Sequence, residues 1–341
     1  MQTNDPIDVL VTISLAPELL TRLQEVSPRL RVTVHPAKQA DDIPEEVWAR
    51  CEVLYTARVL PTIEMVPKLK WIQFHYAGIN HVVDAPLMQE KGLLATTMSG
   101  ASASQVSEHI VQMLLALGHK LPALLESQNK AEWPDDRWER FKPRELRGST
   151  VGIVGYGSIG RQVARLLYAF DATVLATKFN AMQPADHGYQ IEGQGDPEGD
   201  YVHRLYPHQA LHSMVKNCDY LVITVPLTTS TRKMISEEVF AALKPYTYLV
   251  DVSRGGVVDH NALIFALEND RIGGAALDVF PEEPLYPGSP LWDLPNVIIT
   301  PHISGLSSHY ASRAADLFAT NLDRYLGNQP LYNLIDRERG Y

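Results

Sequence analysis

Residues Val151–Gly160 read VGIVGYGSIG, and this stretch decides the fold. Thr150–Gly155 is an apolar run of strand length, and Ile159–Phe170 carries its apolar residues at helical spacing. Between them Gly155, Gly157 and Gly160 form G-x-G-x-x-G. In that setting the first glycine permits a tight turn, the second lets backbone approach a pyrophosphate, and the third lets helix pack on strand. Ser158 and Ile159 open the helix, whose free N–H groups face the phosphates. A glycine-rich turn without a ligand is the competing reading, and the strand–turn–helix context argues against it.

Working downstream, Thr173–Thr177, Tyr220–Val225, Tyr248–Val252, Ala275–Val279 and Val297–Thr300 read as five further strands, with helices such as Asn261–Asn269 between most of them. Six strands with crossover helices make a doubly wound parallel sheet whose strand order the sequence leaves open. Asn180–His208, rich in glycine and proline, reads as a long loop or hairpin insertion. Upstream, Asp8–Ser14, Arg31–Val34, Glu52–Thr56, Leu69–Phe74 and Leu94–Met98 read as strands, and Pro17–Val26 as a helix, of a small parallel α/β domain. Ser104–Leu117 is a long helix with Val106, Ile110, Met113, Leu114 and Leu117 on one side. Glu132–Arg147, with Trp133 and Trp138, reads as an irregular surface excursion, and Ser307–Leu326 as an amphipathic helix.

A chain of 341 residues exceeds one typical core, so two domains are expected. The formal net charge of -10 disfavours nucleic acid and anionic lipid as partners, and requires any acid-binding site to carry its own positive group. Cys51 and Cys218 form no Cys-x-x-Cys pair, so neither a disulfide framework nor a metal cluster is expected. The start of the chain lacks a signal-peptide pattern and no stretch is long enough to span a bilayer, which points to the cytoplasm.

The end of the second strand of this sheet tests which dinucleotide is bound. An Asp or Glu there holds the adenosine ribose hydroxyls of NAD. Here Lys178 follows Thr173–Thr177. An ammonium cannot accept from hydroxyls but can pair with a 2′-phosphate, so NADP(H) is expected over NAD(H), which remains possible. Arg161, His203 and Arg204 are candidate helpers. A solvated lysine with no ligand is the alternative.

Three later segments end predicted strands at the edge where open α/β sheets bind ligands. VDVSRGGVVD, Val250–Asp259, places Arg254 where a guanidinium can grip a carboxylate with two hydrogen bonds. ALDVFPEEP, Ala276–Pro284, holds Asp278 and Glu283. IITPHISG, Ile298–Gly305, holds His302. A Glu on one ring nitrogen favours the protonated ring, and the other nitrogen can then give a proton to a carbonyl oxygen. Taken singly, Arg254 is equally a structural ion-pair residue and His302 a core histidine.

Together, and in this order, GYGSIG, SRGGVVD, ALDVFPEEP and TPHIS resemble the D-isomer-specific 2-hydroxyacid dehydrogenase family, over about residues 69–334. The resemblance implies a Rossmann cofactor domain, residues 104–300, inserted into a flavodoxin-like substrate domain, residues 1–103 plus 301–341, with a cleft that closes on the substrate. It implies hydride transfer between the nicotinamide and a small 2-keto or D-2-hydroxy acid, of the glyoxylate/hydroxypyruvate type. In it Arg254 binds the carboxylate and polarises the keto group, His302 is the acid/base, and Glu283 orients the histidine. HYAGIN, His75–Asn80, resembles the loop whose amides at Ala77, Gly78 and Ile79 hold the carboxylate. SASQVSEH, Ser102–His109, resembles the hinge. The implied cofactor contacts are Gly155, Gly157, Ser158, Ile159, Gly160, Lys178, Val225, Pro226, Val252, Ser253, Arg254, Asp278 and His302. Tyr76, Leu306 and Tyr310 are candidates for the substrate side-chain pocket.

The chain departs from the family pattern in lacking the acidic cofactor residue, in carrying Asp251 where Asn is usual, and in its longer insertion after the second strand of the cofactor domain. Glu283 disfavours a formate dehydrogenase, which carries Gln there. A phosphite dehydrogenase keeps all three catalytic residues, and an NAD(H)-responsive corepressor is a binding-module alternative. A homodimer is expected from the family.

Overall fold

The computed structural model describes residues 5–337 and 340. The chain divides into two compact units, Met1–Ala101 with Ser307–Tyr341, and Ser102–Leu306.

The first unit is built on five short strands: β1 (Ile7–Val11), β2 (Leu30–Val34), β3 (Val53–Thr56), β4 (Trp71–Phe74) and β5 (Leu94–Thr96). They pair in the order β2-β1-β3-β4-β5, all parallel. Every residue of β3 and β4 is buried, as strands covered on both faces require. The helix Tyr310–Leu326 belongs to this unit and packs beside Pro17–Glu25. Phe318 is fully buried against the rings of Tyr55 (4.5 Å) and Trp71 (5.5 Å). Burying a side chain of that size contributes about 2–3 kcal/mol. The rim ion pair Arg22–Asp316 between the two helices adds little.

The second unit carries β6 (Thr150–Val154), β7 (Thr173–Lys178), β8 (Arg204–Pro207), β9 (Tyr220–Ile223), β10 (Tyr248–Asp251), β11 (Gly274–Leu277) and β12 (Val297–Ile299). Their order is β12-β11-β10-β9-β6-β7-β8, all parallel. The sheet has seven strands rather than six. The extra one, β8, lies inside the stretch read from sequence as loop or hairpin. It is a four-residue edge strand ending in Pro207, which an edge tolerates and a sequence pattern conceals. Order reverses between β6 and β9, so their carboxyl ends, at Gly155 and Val225, frame the crevice where such sheets bind ligands.

The helix Ala103–Gly118 buries Val106, Ile110, Met113, Leu114 and Leu117 against this sheet. A helix at Leu121–Asn129 follows that the sequence reading did not separate. Beyond it the segment around Trp133 and Trp138 is irregular apart from one turn, Arg137–Arg140. No helix of the described residues is long and apolar enough to cross a membrane, and among the same residues no metal-binding cluster of His, Cys, Asp and Glu occurs.

Candidate active site

The glycine turn has the geometry a dinucleotide needs. Gly155 has φ +107°, and a Cβ there would lie 2.8 Å from a methyl of Val225. A Cβ on Gly160 would lie 2.3 Å from the Gly155 carbonyl, so helix and strand could not close up. A Cβ on Gly157 would meet open space, as a backbone that a pyrophosphate is to approach requires. Ser158 and Ile159 begin the helix Ser158–Tyr168 above it. Val225 and Pro226 follow β9 at the same crevice. These residues fit a bound nicotinamide dinucleotide.

Lys178 closes β7 and is half-buried. Its ammonium donates to the carbonyls of Gln183, Pro184 (3.4 Å) and Ala185 (2.8 Å) of the insertion. Burial, with Arg161 nearby, pushes its pKa down, while Asp186 opposes the shift. The carbonyls orient the ammonium without neutralising it.

The proposed helpers are placed otherwise. Arg161 is fully buried and spends its guanidinium on the carbonyls of Asp196 and Pro184 and on Asp186 at 3.2 Å. It fastens the insertion to the helix Ser158–Tyr168. His203 accepts from Val174 N at 3.0 Å and Arg204 pairs with Leu175, both toward the opposite end of β7 from Lys178. The sequence also hid the rest of this clamp. Tyr156, the middle residue of GYG, donates to Asp196, whose other oxygen caps Gly199 N (3.1 Å) and Asp200 N (2.7 Å).

Arg254, Glu283 and His302 come from three loops at the carboxyl ends of β10, β11 and β12. His302 Nδ1 lies 2.7 Å from Glu283 Oε2, and the other carboxylate oxygen accepts from Phe280 N at 3.0 Å. The pair is partly open to solvent, with side-chain exposures of 44% and 35%, so a ligand can reach the ring. His302 sits in left-handed backbone at φ 54°, a strain of about 1 kcal/mol for a residue with a Cβ. Asp278 holds it there. This buried carboxylate accepts from Thr300 Oγ1 (2.6 Å), Ile303 N (2.9 Å) and Ser304 N (3.0 Å), bracketing the histidine in the chain. Asp278, expected at the nicotinamide, is thus committed first to the His302 loop.

Arg254 Nη1 donates to its own Ser253 carbonyl at 2.7 Å, and burial lowers its pKa against the opposing pull of Glu283, Asp251 and Asp278. Val252 and Ser253 are buried beneath it. The next residue explains part of the SRGG motif. A Cβ on Gly255 would stand 1.8 Å from the Phe280 carbonyl, so only glycine lets the arginine loop touch the loop bearing Glu283.

In the other unit, Ala77, Gly78 and Ile79 follow β4. Among the described residues their N–H groups find no acceptor, which leaves three donors on one short loop. Tyr310 donates to the His75 carbonyl at the head of this loop, and its ring stacks on that of Tyr76 (6.4 Å between centroids, 20° between planes). Leu306 belongs to the second unit and is largely exposed.

A nucleotide-binding parallel sheet with an arginine and a Glu–His pair at its carboxyl edge defines a nicotinamide-dependent dehydrogenase acting on a carboxylate substrate. Residues 111–304 match the family model described as D-isomer specific 2-hydroxyacid dehydrogenase, NAD binding domain. The chain is 32% identical over 278 residues to a glyoxylate reductase of Thermofilum pendens, covering 81% of this chain and 77% of that one. It is similar to an NADPH-dependent glyoxylate/hydroxypyruvate reductase of Sinorhizobium meliloti solved with citrate (26% identity, TM-score 0.72, covering 97% and 98%). Its fold also matches a D-isomer specific 2-hydroxyacid dehydrogenase of Xanthobacter autotrophicus (24% identity, TM-score 0.79, covering 99% and 100%). The chain belongs to the D-isomer specific 2-hydroxyacid dehydrogenase family and is an NAD(P)-dependent 2-hydroxyacid dehydrogenase or reductase.

Proposed function

We propose that the protein reduces a small 2-keto acid of the glyoxylate/hydroxypyruvate type to the D-2-hydroxy acid with NADP(H), NAD(H) serving less well. The observation that carries this reading is the 2.7 Å contact of His302 Nδ1 with Glu283 Oε2 beside Arg254. When bound, the reduced nicotinamide supplies the hydride. Arg254 holds the substrate carboxylate, which fixes the face presented to the hydride. Arg254 also draws charge toward the keto oxygen. His302, held at Nδ1 by Glu283, delivers the proton to that oxygen from its other ring nitrogen, Nε2. Glycine-turn residues Gly155, Gly157, Ser158, Ile159 and Gly160 cradle the pyrophosphate, and Val225, Pro226, Val252, Ser253 and Asp278 border the nicotinamide end.

Lys178, an ammonium among neutral carbonyls at the end of β7, supports the NADP(H) preference. So does the similar reductase of Sinorhizobium meliloti, which is described as NADPH-dependent. The phosphite and corepressor readings receive no support from the relatives' descriptions. A homodimer suits the exposed apolar surface around Leu125, Trp133 and Trp138. The two buried free thiols, Cys51 and Cys218, suit a reducing cytoplasm.

The test is oxidation of NADPH and of NADH with a panel of 2-keto acids, comparing wild type with His302→Ala and Lys178→Asp. Turnover that vanishes in His302→Ala, with preference swinging toward NADH in Lys178→Asp, is the expected result. Tight cofactor binding without turnover of any 2-keto acid overturns the reading.

A further inference from the structure

Asp251 ends β10, the strand flanked by β9 and β11, and its side chain is fully buried. Its Oδ1 accepts from Ser253 N at 2.9 Å and from Ser253 Oγ at 2.6 Å. Among the described residues its Oδ2, equally buried, has no partner. The Asp251 carbonyl accepts from Asp278 N at 2.9 Å, so a second buried carboxyl is attached to the adjoining strand. Asp278 has three donors spread over both its oxygens, whereas Asp251 has one donor residue on a single oxygen. A buried carboxyl on the adjoining strand opposes ionisation of Asp251, whose unpartnered oxygen makes it a poor site for a charge.

The bonds to Ser253 also bear on the substrate arginine. They fold residues 251–253 into the turn that launches Arg254, whose Nη1 then rests on the Ser253 carbonyl and is not paired with Asp251. An ionised Asp251 would be a buried anion with an unpartnered oxygen, and Arg254 is the cation that acts on it. Pairing would draw the guanidinium inward, away from a substrate carboxylate.

We propose that Asp251 is a positioning residue that works as a neutral carboxylic acid: protonated, it sets the turn that presents Arg254 to the substrate, and ionised, it withdraws Arg254. This rests on the dehydrogenase reading for what Arg254 binds. Burial pushes the Asp251 carboxyl up to about 7, with Asp278 adding to the shift and Ser253 and Arg254 opposing it. The other ionisable groups of the packed elements act at one remove. His109 of the helix Ala103–Gly118 contacts Thr300 Oγ1 at 3.4 Å and feels Asp278, and Glu283 acts on Arg254. His260, at the start of the helix His260–Glu268, packs edge-on to Phe280 at 5.9 Å, and Tyr220 lies at the far end of β9, three positions from the residue paired with Asp251.

The experiment measures KM for glyoxylate and pyruvate with NADPH across pH in wild type, Asp251→Asn and Ser253→Ala. In wild type KM rises on the order of tenfold between pH 6 and pH 8, the course of one ionisation near neutrality. Asn cannot ionise, so Asp251→Asn holds the low-pH KM throughout. Ser253→Ala removes a donor that favours the anion and moves the rise to higher pH, which a merely structural serine would not do. A KM that climbs with pH equally in Asp251→Asn and wild type overturns the proposal. Thermal unfolding reads the ionisation without turnover: the melting temperature of Asp251→Asn exceeds that of wild type by a margin that widens from pH 6 to pH 8. A constant margin overturns the proposal even in an active enzyme. A wild type that melts as expected yet reduces no 2-keto acid sinks the dehydrogenase reading, and the role of Arg254 with it.

Discussion

His302 Nδ1 and Glu283 Oε2 stand 2.7 Å apart, and each side chain is held by a separate loop of the same sheet edge. The contact fixes which ring nitrogen faces a substrate. His302→Ala removes the proton donor and should abolish measurable turnover. Glu283→Gln keeps the shape but loses the charge, so kcat should fall about 10²–10⁴-fold, the usual worth of a general acid. Cofactor affinity, measured by fluorescence titration with NADPH, should change little in Glu283→Gln. A variant that keeps wild-type kcat would show that Glu283 does not act through His302.

The glycine turn separates stability from binding. A Cβ on Gly160 collides with the Gly155 carbonyl at 2.3 Å, so Gly160→Ala should destabilise the unit by several kcal/mol or prevent folding. A Cβ on Gly157 meets nothing within 4 Å, so Gly157→Ala should melt with the wild type. It should nonetheless weaken NADPH binding at least tenfold, because the methyl occupies the approach of the pyrophosphate. Equal affinity in Gly157→Ala and wild type would place the phosphates elsewhere.

The enzyme class and half of the architecture were readable from residue order alone. Strand, glycine turn and helix are encoded within twenty residues, and Arg254, Glu283 and His302 each follow an apolar run that ends at the same sheet edge. What stayed hidden depends on contacts distant in sequence. β8 is a four-residue edge strand with one neighbour, too short for a period. Arg161 sits beside the phosphate turn in sequence, yet its partners are Pro184, Asp186 and Asp196, supplied by an insertion with no periodicity of its own. The role of Gly255 appears only where the Phe280 carbonyl arrives from another strand.

Arg161 therefore yields a prediction about order. It is fully buried, and its guanidinium joins three points of the insertion, while Gln162 Oε1 accepts from Gly195 N and Tyr156 donates to Asp196. Arg161→Met leaves Asp186 without its ion-pair partner and two carbonyls without their donor, at a cost of about 2–4 kcal/mol. Limited proteolysis should then cut between residues 180 and 203 well before the sheet is attacked. An insertion that resists proteases as in wild type would show that Tyr156 and Gln162 hold it unaided.

Two buried histidines should weaken the fold in acid. His75, whose Nδ1 lies 2.7 Å from Tyr55 Oη, and His260, whose Nε2 is buried without a partner among the described residues, are both pushed down to about 4, chiefly by burial. Their neutral rings suit the fold. The unfolded chain takes up protons at an ordinary histidine pKa of about 6.5, so stability is full above that value and is lost as pH falls toward 4. By pH 5 each histidine should have withdrawn about 2 kcal/mol. His260→Leu removes one titrating group together with an unsatisfied nitrogen, so its melting temperature should fall between pH 7 and pH 5 by visibly less than that of wild type. Parallel declines in the two proteins would assign the acid limit to carboxylates instead.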